Sequence, residues 1–316
     1  MSLRRLVPSA VRRHPAWRAA SRLHHEGLLT AGRRVRTWRR ILGSAPTVTN
    51  PVAPGTPVEV HLMCYRLDHL AAIWALKSFY RAAGARLPLV IHLQGLTPAR
   101  VRRRLEHHFP AARVVSQREA DREVEAALAK RRLHRLLTTR RSNPMIMKLT
   151  DFVLIGTSVH VLALDSDVLF FERPDELLQA GTDPMRETVF MHDLASSYNV
   201  SDDEAREQFG IRLVPRMNCG VMLFARAGLD LARCDALLEY ASVNSNTGLA
   251  EQTLRALVAS EEGTVTFLPE RYRLSFESAG GLDGAVMRHY AGGSRYLFTN
   301  EGVAQLIERG LLEQET

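Results

Sequence analysis

Residues 161–171 read V-L-A-L-D-S-D-V-L-F-F, so two aspartates, Asp165 and Asp167, stand between two stretches of β-forming apolar residues. Such a run predicts a buried strand, and strands apolar on both faces belong to parallel sheets covered by helices on each side. Carboxylates at the end of a buried strand are costly unless a cation pairs with them. Carboxylate oxygens suit a hard divalent ion, magnesium or manganese. The plain alternative is a strand-ending turn with two solvated aspartates. A bare D-x-D does not separate the two readings. The rest of the chain has to.

The segments before this run alternate strand and helix. V-E-V-H-L-M-C at 58–64 reads as a first strand, and apolar positions at helical spacing over 67–83 end at Gly84, a C-cap. L-P-L-V-I-H-L at 87–93 is a second strand. Thr97-Pro98 predicts an N-cap and a proline opening a helix to about His108. A short third strand over 112–116 leads to one long charged helix over 118–137. After the break at Asn143-Pro144 comes a helix over 145–156, and then the strand carrying the aspartates. This alternation predicts a parallel sheet with right-handed crossovers, whose ligands sit beyond the carboxyl ends of the strands. Further strands are expected at 189–193, 218–224, 265–268 and 285–290. Helices are expected near Asp202–Phe209 and over 230–243 and 249–260.

Charge divides the chain. Residues 1–50 hold 11 arginines and a single acidic residue, Glu26, so the net charge of +8 belongs to an arm and the remainder is close to neutral. Trp17, Leu23, Leu28, Leu29, Val35, Trp38, Ile41 and Leu42 interleave with those arginines. Three readings stay open: a helix lying on anionic lipid through residues 1–45, nucleic-acid contact, or an arm with no partner. Nucleic acid is the least expected. Residues 44–57 are rich in proline and small polar residues and read as a linker, which places a basic arm and linker at 1–57 and a globular domain at 58–316. No apolar run is long enough to span a bilayer, and no signal-type segment follows Met1. Cys64, Cys219 and Cys234 lack metal or redox spacing and fit reduced thiols, so a cytoplasmic location is expected, with the inner membrane face as the place for peripheral contact.

Five short motifs occur in one order: K-L at 148–149, L-D-S-D at 164–167, N-C-G-V-M-L-F at 218–224, E-Q at 251–252 and H-Y-A-G-G-S-R at 289–295. Together they resemble the retaining glycosyltransferases of family 8, the glycogenin and bacterial lipopolysaccharide galactosyltransferase type, from about Val58 to Phe298. The resemblance implies a GT-A fold, an α/β architecture with a mostly parallel twisted sheet flanked by helices. It implies a metal-dependent hexosyltransferase-like enzyme using a nucleoside-diphosphate sugar, UDP-linked by expectation, with Mn2+ or Mg2+ and a glycan or glycolipid acceptor. Asp165, Asp167 and His289 are the implied metal ligands. Lys148, Ser166, Glu251, Gly292 and Arg295 are implied at the donor, and Gln252, Asn218 and Asp193 near the transferred sugar.

The chemistry of these residues is compatible with the roles. A metal bridging a departing diphosphate stabilises its developing charge. Gly292 lets backbone approach a phosphate. Each residue also has an ordinary account: a satisfied core histidine, a solvated lysine, turn chemistry at Asn218, a helix-start glutamate. Two departures stand out. Arg295 replaces the family's lysine, and C-Y-R at 64–66 replaces its usual nucleotide loop, leaving Tyr65 as a surface on which a base can stack. A sugar-phosphate nucleotidyltransferase would carry a glycine-rich phosphate loop after the first strand, and residues 63–69 contain no glycine. The other alternative is a non-catalytic membrane- or nucleic-acid-binding protein on a degenerate GT-A fold.

Overall fold

The computed structural model of the protein describes residues 28–181, 188–263, 265–278 and 282–313. Of the residues behind the lipid reading, Trp17, Leu23 and the arginines up to Arg22 lie outside the described residues, whereas Trp38, Ile41 and Leu42 pack against the core of the domain. Among the described residues no helix is long and apolar enough to cross a membrane.

A helix α1 (Leu28–Arg39) precedes β1 (Val58–Tyr65), α2 (His69–Ala83), β2 (Leu89–Gln94), α3 (Ala99–His108) and β3 (Arg113–Val115). Then come α4 (Gln117–Lys130), α5 (His134–Ser142), α6 (Ile146–Leu154), β4 (His160–Leu164) and β5 (Val168–Phe170). The second half holds α7 (Asp175–Ala180), β6 (Thr188–His192), α8 (Asp202–Phe209), β7 (Met217–Ala225), α9 (Leu231–Leu237), α10 (Ala250–Glu262), β8 (Thr266–Phe267), β9 (Tyr272–Leu274), β10 (Met287–His289) and α11 (Ala304–Glu308).

Seven strands form one sheet in the order β3-β2-β1-β4-β7-β6-β8. From β3 to β4 every pairing is parallel, whereas β7 runs antiparallel to both of its neighbours, β4 and β6. Along β4 the side chains alternate between two apolar layers. Leu162 and Leu164 join the cluster that holds Trp74 and Phe79 of α2, while Val161 and Ala163 join the one that holds Leu149 and Phe152 of α6. Helices therefore cover both faces, as the doubly apolar strand predicts.

The central run divides at the aspartates, which follow the end of β4 as expected. Residues 161–171 are not a single strand. The chain leaves the large sheet at Leu164 and joins a separate three-stranded sheet, β5-β10-β9, at Val168. Only Asp165, Ser166 and Asp167 span the gap. The two apolar halves resemble one continuous strand because each is buried in a sheet of its own.

Smaller corrections have local causes. The helix expected over 118–137 breaks between α4 and α5, where Arg132 takes a left-handed backbone at φ 59°. The helix expected over 230–243 ends at Leu237, and a 3₁₀ turn follows at Ala241–Asn244. Thr97 does not cap α3; its hydroxyl donates to the carbonyls of Gln94 and Gly95, and Pro98 holds the cap position. The strand expected over 285–290 shrinks to β10. Gly84 does cap α2, at φ 59°.

Residues 38–50 pack on the domain. Ile41 is fully buried, Trp74 Nε1 donates to the Trp38 carbonyl at 3.0 Å, and Lys77 Nζ donates to the Ala45 carbonyl and to Thr47 Oγ1 at 3.2 Å.

Candidate active site

Asp165 and Asp167 lie at the carboxyl end of β4, in the step between sheets. Asp165 follows Leu164 by one residue and so continues on the face of Val161 and Ala163, where α6 packs. Lys148 of α6 meets it there, Nζ to Oδ1 at 2.7 Å. Gly220 of β7 holds the backbone by accepting the Asp165 N–H at 2.8 Å. Asp167 accepts Arg295 Nε on Oδ2 at 2.8 Å, and its carbonyl accepts the Tyr290 N–H at 2.8 Å, which ties the aspartate to the end of β10. His289, the last residue of β10, points its Nε2 at the pair, 3.2 Å from Asp167 Oδ1 and 3.8 Å from Asp165 Oδ2.

The donor set fits a metal. One ligand atom from each of Asp165, Asp167 and His289 lies within 4.8 Å of the others. The imidazole is also held in orientation by Asn218. Asn218 Nδ2 donates to Asp193 Oδ2 at 2.9 Å, and its Oδ1 accepts the Gly220 N–H at 2.9 Å, which fixes the amide orientation. Oδ1 then accepts from His289 Nδ1 at 3.1 Å; with a metal bound, the Nε2 lone pair would be the one left to face the aspartates. Gly220 makes this contact possible, because a Cβ there would lie 2.3 Å from His289 Nδ1.

Charges around the aspartates are paired and buried. Lys148 also faces Glu251 Oε2 at 3.5 Å, and Glu251 Oε1 takes Arg255 Nε at 2.6 Å. Arg255 stacks over Phe224 and donates Nη2 to the Lys148 carbonyl at 3.3 Å, closing the loop. Burial would lift the Asp167 carboxyl, but His289 and Arg295 outweigh it and hold the group below the usual carboxylate range. Burial raises Asp165, and Lys148 only partly offsets it. Lys148 and His289 are both raised: burial opposes their charge, and the neighbouring carboxylates prevail.

On the other side of His289, Gln252 of α10 donates Nε2 to the Ser197 carbonyl at 2.9 Å and accepts the Cys219 N–H on Oε1 at 3.3 Å. It also reaches Asp193 Oδ2 at 3.5 Å. Asp193 is the first residue after β6. Arg216 holds it from a left-handed backbone at φ 55°, donating Nε to the Asp193 carbonyl at 2.8 Å and accepting the Asp193 N–H at 2.7 Å.

The fold thus gathers Lys148, Asp165, Asp167, Asp193, Asn218, Glu251, Gln252, His289 and Arg295 into one network, with Ser166 between the aspartates. Tyr65 and Gly292 stand further out. Tyr65 carries Arg66 over its ring at 5.8 Å, and Gly292 turns at φ 52° three residues before Arg295.

Sequence reasoning missed three participants. Arg255 was visible only as the i+4 partner of Glu251. Gly220 lay inside a quoted motif without a role of its own. Asp68, whose Oδ1 is 3.9 Å from Arg295 Nη1, gave no signal.

No protein-family model matches the chain, and no curated protein matches it significantly. Solved structures do. An active-site mutant of LgtC superposes with a TM-score of 0.52 at 16% identity, over 82% of this chain and 97% of that one. The bifunctional glycosyltransferase WbbM, in its apo form, superposes with a TM-score of 0.50 at 15% identity, over 83% of this chain and 53% of that one.

The fold is that of the GT-A glycosyltransferases.

By the general rule for open α/β sheets, ligands sit beyond the carboxyl ends of the parallel strands, here those of β1 and β4. The Asp165–Asp167–His289 group sits at the β4 end.

Proposed function

We propose that the protein is a metal-dependent glycosyltransferase of the family 8 type, moving a hexose from a UDP-linked donor to an acceptor hydroxyl with retention at the anomeric carbon. The observation that carries this reading is the meeting of Asp165, Asp167 and His289 at the carboxyl end of β4 in a GT-A fold. The bound ion, Mn2+ by preference because of the imidazole ligand, would act as a Lewis acid on the diphosphate.

Charge balance supports the reading. Asp165, Asp167 and Glu251 are matched by Lys148, Arg255 and Arg295. A divalent ion and a diphosphate arriving together nearly preserve that balance, whereas either alone upsets it. Arg295 uses Nε on Asp167 and Nη1 toward Asp68, so Nη2 would face the phosphates with Gly292. Lys148, Ser166 and Glu251 would border the donor from the α6 and α10 side. Asn218, Asp193 and Gln252 would hold sugar hydroxyls, with Gln252 beside the anomeric carbon. The Gln252 amide is a poor nucleophile and is engaged at both ends, so no covalent enzyme intermediate is assigned. Tyr65 would take the base.

The acceptor is read as a glycan or glycolipid, with peripheral contact to anionic lipid through the part of residues 1–45 that precedes the packed segment at 38–50. The three buried free cysteines fit a cytoplasmic setting. A screen of nucleotide sugars for donor hydrolysis, with and without manganese, tests the assignment. Hydrolysis of one donor that stops in EDTA is expected. No manganese-dependent hydrolysis of any donor would refute it.

A further inference from the structure

Beyond the carboxyl ends of β1 and β2 the chain carries two exposed leucines on turn tips. The strands are parallel neighbours, and their ladder ends at Tyr65 opposite Gln94. Two residues past that pair stand Leu67 and Leu96, exposed by 56% and 95%. Arg66 and Leu67 form the middle of a turn closed by the Asp68 N–H on the Tyr65 carbonyl at 2.8 Å. Gly95 and Leu96 form the middle of the other, where the Thr97 hydroxyl reaches back to the Gln94 carbonyl at 3.3 Å. The tips adjoin, since a Cβ at Gly95 would lie 3.8 Å from Tyr65 Cε2. The helices behind them are joined too: Arg104 Nη1 of α3 donates to His69 Nε2 of α2 at 3.1 Å, and His69 Nδ1 donates to the Arg66 carbonyl at 2.9 Å.

Four arginines accompany the leucines. Arg66 is on the first tip. Arg100, Arg103 and Arg104 share the outer face of α3, whose inner face buries Val101, Leu105 and His108. Arg102, on the flank, is paired with Glu106 and Glu119. Among the described residues, none of the four is paired with a carboxylate. The chain beyond its arm is close to neutral, so this is a local excess of positive charge.

We infer that this rim docks on an anionic phospholipid membrane, with Leu67 and Leu96 entering the interface and the arginines meeting the headgroup phosphates. Charge selects an anionic surface. The exposed leucines select a lipid interface over a dissolved anion, which offers them nothing, while arginine stems lie along apolar lipid and keep their heads at the phosphates. The surface is distinct from the arm and needs no metal. In the sheet β1 lies between β2 and β4, so the docked edge is one strand from the end of β4 that bears the aspartates. The consequence for the acceptor rests on the transferase reading above: a membrane-linked acceptor would meet the site beside the docked edge.

The test uses the full-length protein. Cys64, Cys219 and Cys234 are buried, so a Leu96→Cys variant takes up a nitrobenzoxadiazole dye at residue 96 alone. Leu67→Cys is a second position, and Val159→Cys, exposed at the opposite end of the sheet, is the control. The probes are vesicles of phosphatidylcholine alone, or mixed equally with phosphatidylglycerol, at low salt. With mixed vesicles only, the dye at residues 96 and 67 is expected to shift to the blue and brighten, and the dye at residue 159 to stay unchanged. An arginine near an anionic surface is worth about fivefold in partitioning, so Arg100→Gln with Arg103→Gln should raise the lipid needed for half the change by up to about 25-fold.

Sedimentation of the protein with mixed vesicles, without a response at residue 96 or 67, overturns the inference and leaves the arm as the lipid contact. An equal response to phosphatidylcholine alone, or an unchanged half-point in the double variant, overturns it as well. A response to short single-stranded DNA and none to lipid overturns it in favour of nucleic acid. Donor hydrolysis is read separately and decides the transferase reading on its own.

Discussion

Gly220→Ala places one methyl group against the imidazole of His289, and the structure sets the size of the effect. An ideal Cβ at Gly220 lies 2.3 Å from His289 Nδ1, 2.4 Å from Cε1 and 3.0 Å from Asn218 Oδ1. Ordinary contact begins at 3.4 Å, so the ring must retreat by about 1.1 Å. It cannot do so while keeping Nδ1 at 3.1 Å from Asn218 and Nε2 between the aspartates. Metal–ligand distances tolerate only about 0.2 Å. His289 should drop out of the donor set, with a loss of about 10- to 100-fold in manganese affinity. The strand itself should survive, since Gly220 does not occupy the left-handed region and its backbone bonds to Asn218 and Asp165 need no side chain. Manganese binding and thermal unfolding are measured for Gly220→Ala, His289→Ala and the double variant. If the clash is the cause, the stability loss of Gly220→Ala disappears in the His289→Ala background, and the double variant binds manganese no worse than His289→Ala alone. Wild-type manganese affinity in Gly220→Ala would refute both the clash and the role given to His289.

Asp165→Asn and Asp167→Asn should each abolish manganese-dependent turnover while circular dichroism remains native; full activity in both would remove the metal assignment. A buried cluster away from the site predicts an acid transition. Glu59 is buried, yet its carboxyl is held down to about 2, because hydrogen bonds from Thr157 and His61 outweigh the burial that would raise it. A carboxyl depressed in the folded state stabilises above its ordinary range near 4.5 and loses that contribution as pH falls toward 2, here about 3 kcal/mol. Urea unfolding from pH 6 to pH 3 should show the loss, and Glu59→Gln should flatten it; equal slopes in both proteins would contradict the account. Deleting residues 1–27 should weaken sedimentation with anionic vesicles at low salt and leave donor hydrolysis intact, because every proposed site residue lies beyond Val58; an intact protein that ignores such vesicles would end the lipid reading.

The sequence exposed the alternation of strand and helix up to β4 because each strand there is a short run rich in β-forming residues and each helix is marked by a cap or a period. It concealed the change of sheet at Asp165–Asp167, and the reason is physical. Burial on both sides makes β4 and β5 equally apolar, and nothing in L-D-S-D-V says that the flanking strands pair with different partners. That concealed step produces the site. Were 161–171 a single strand, alternation would put Asp165 and Asp167 on one face, beside Ala163, with Ser166 on the other. With the strand broken, Asp165 stays under α6, where Lys148 reaches it, and Asp167 swings toward β10, where His289 and Arg295 reach it. The second sheet brings β10 alongside: Val168 of β5 pairs with His289, so the register that starts β5 also sets the imidazole opposite the aspartates, next to Tyr290, whose N–H bonds the Asp167 carbonyl. Arg255 and Gly220 escaped sequence reasoning for the same reason. Their partners lie on elements far along the chain, and their importance is one of distance, 2.6 Å to Glu251 for the first and a forbidden 2.3 Å to His289 for the second.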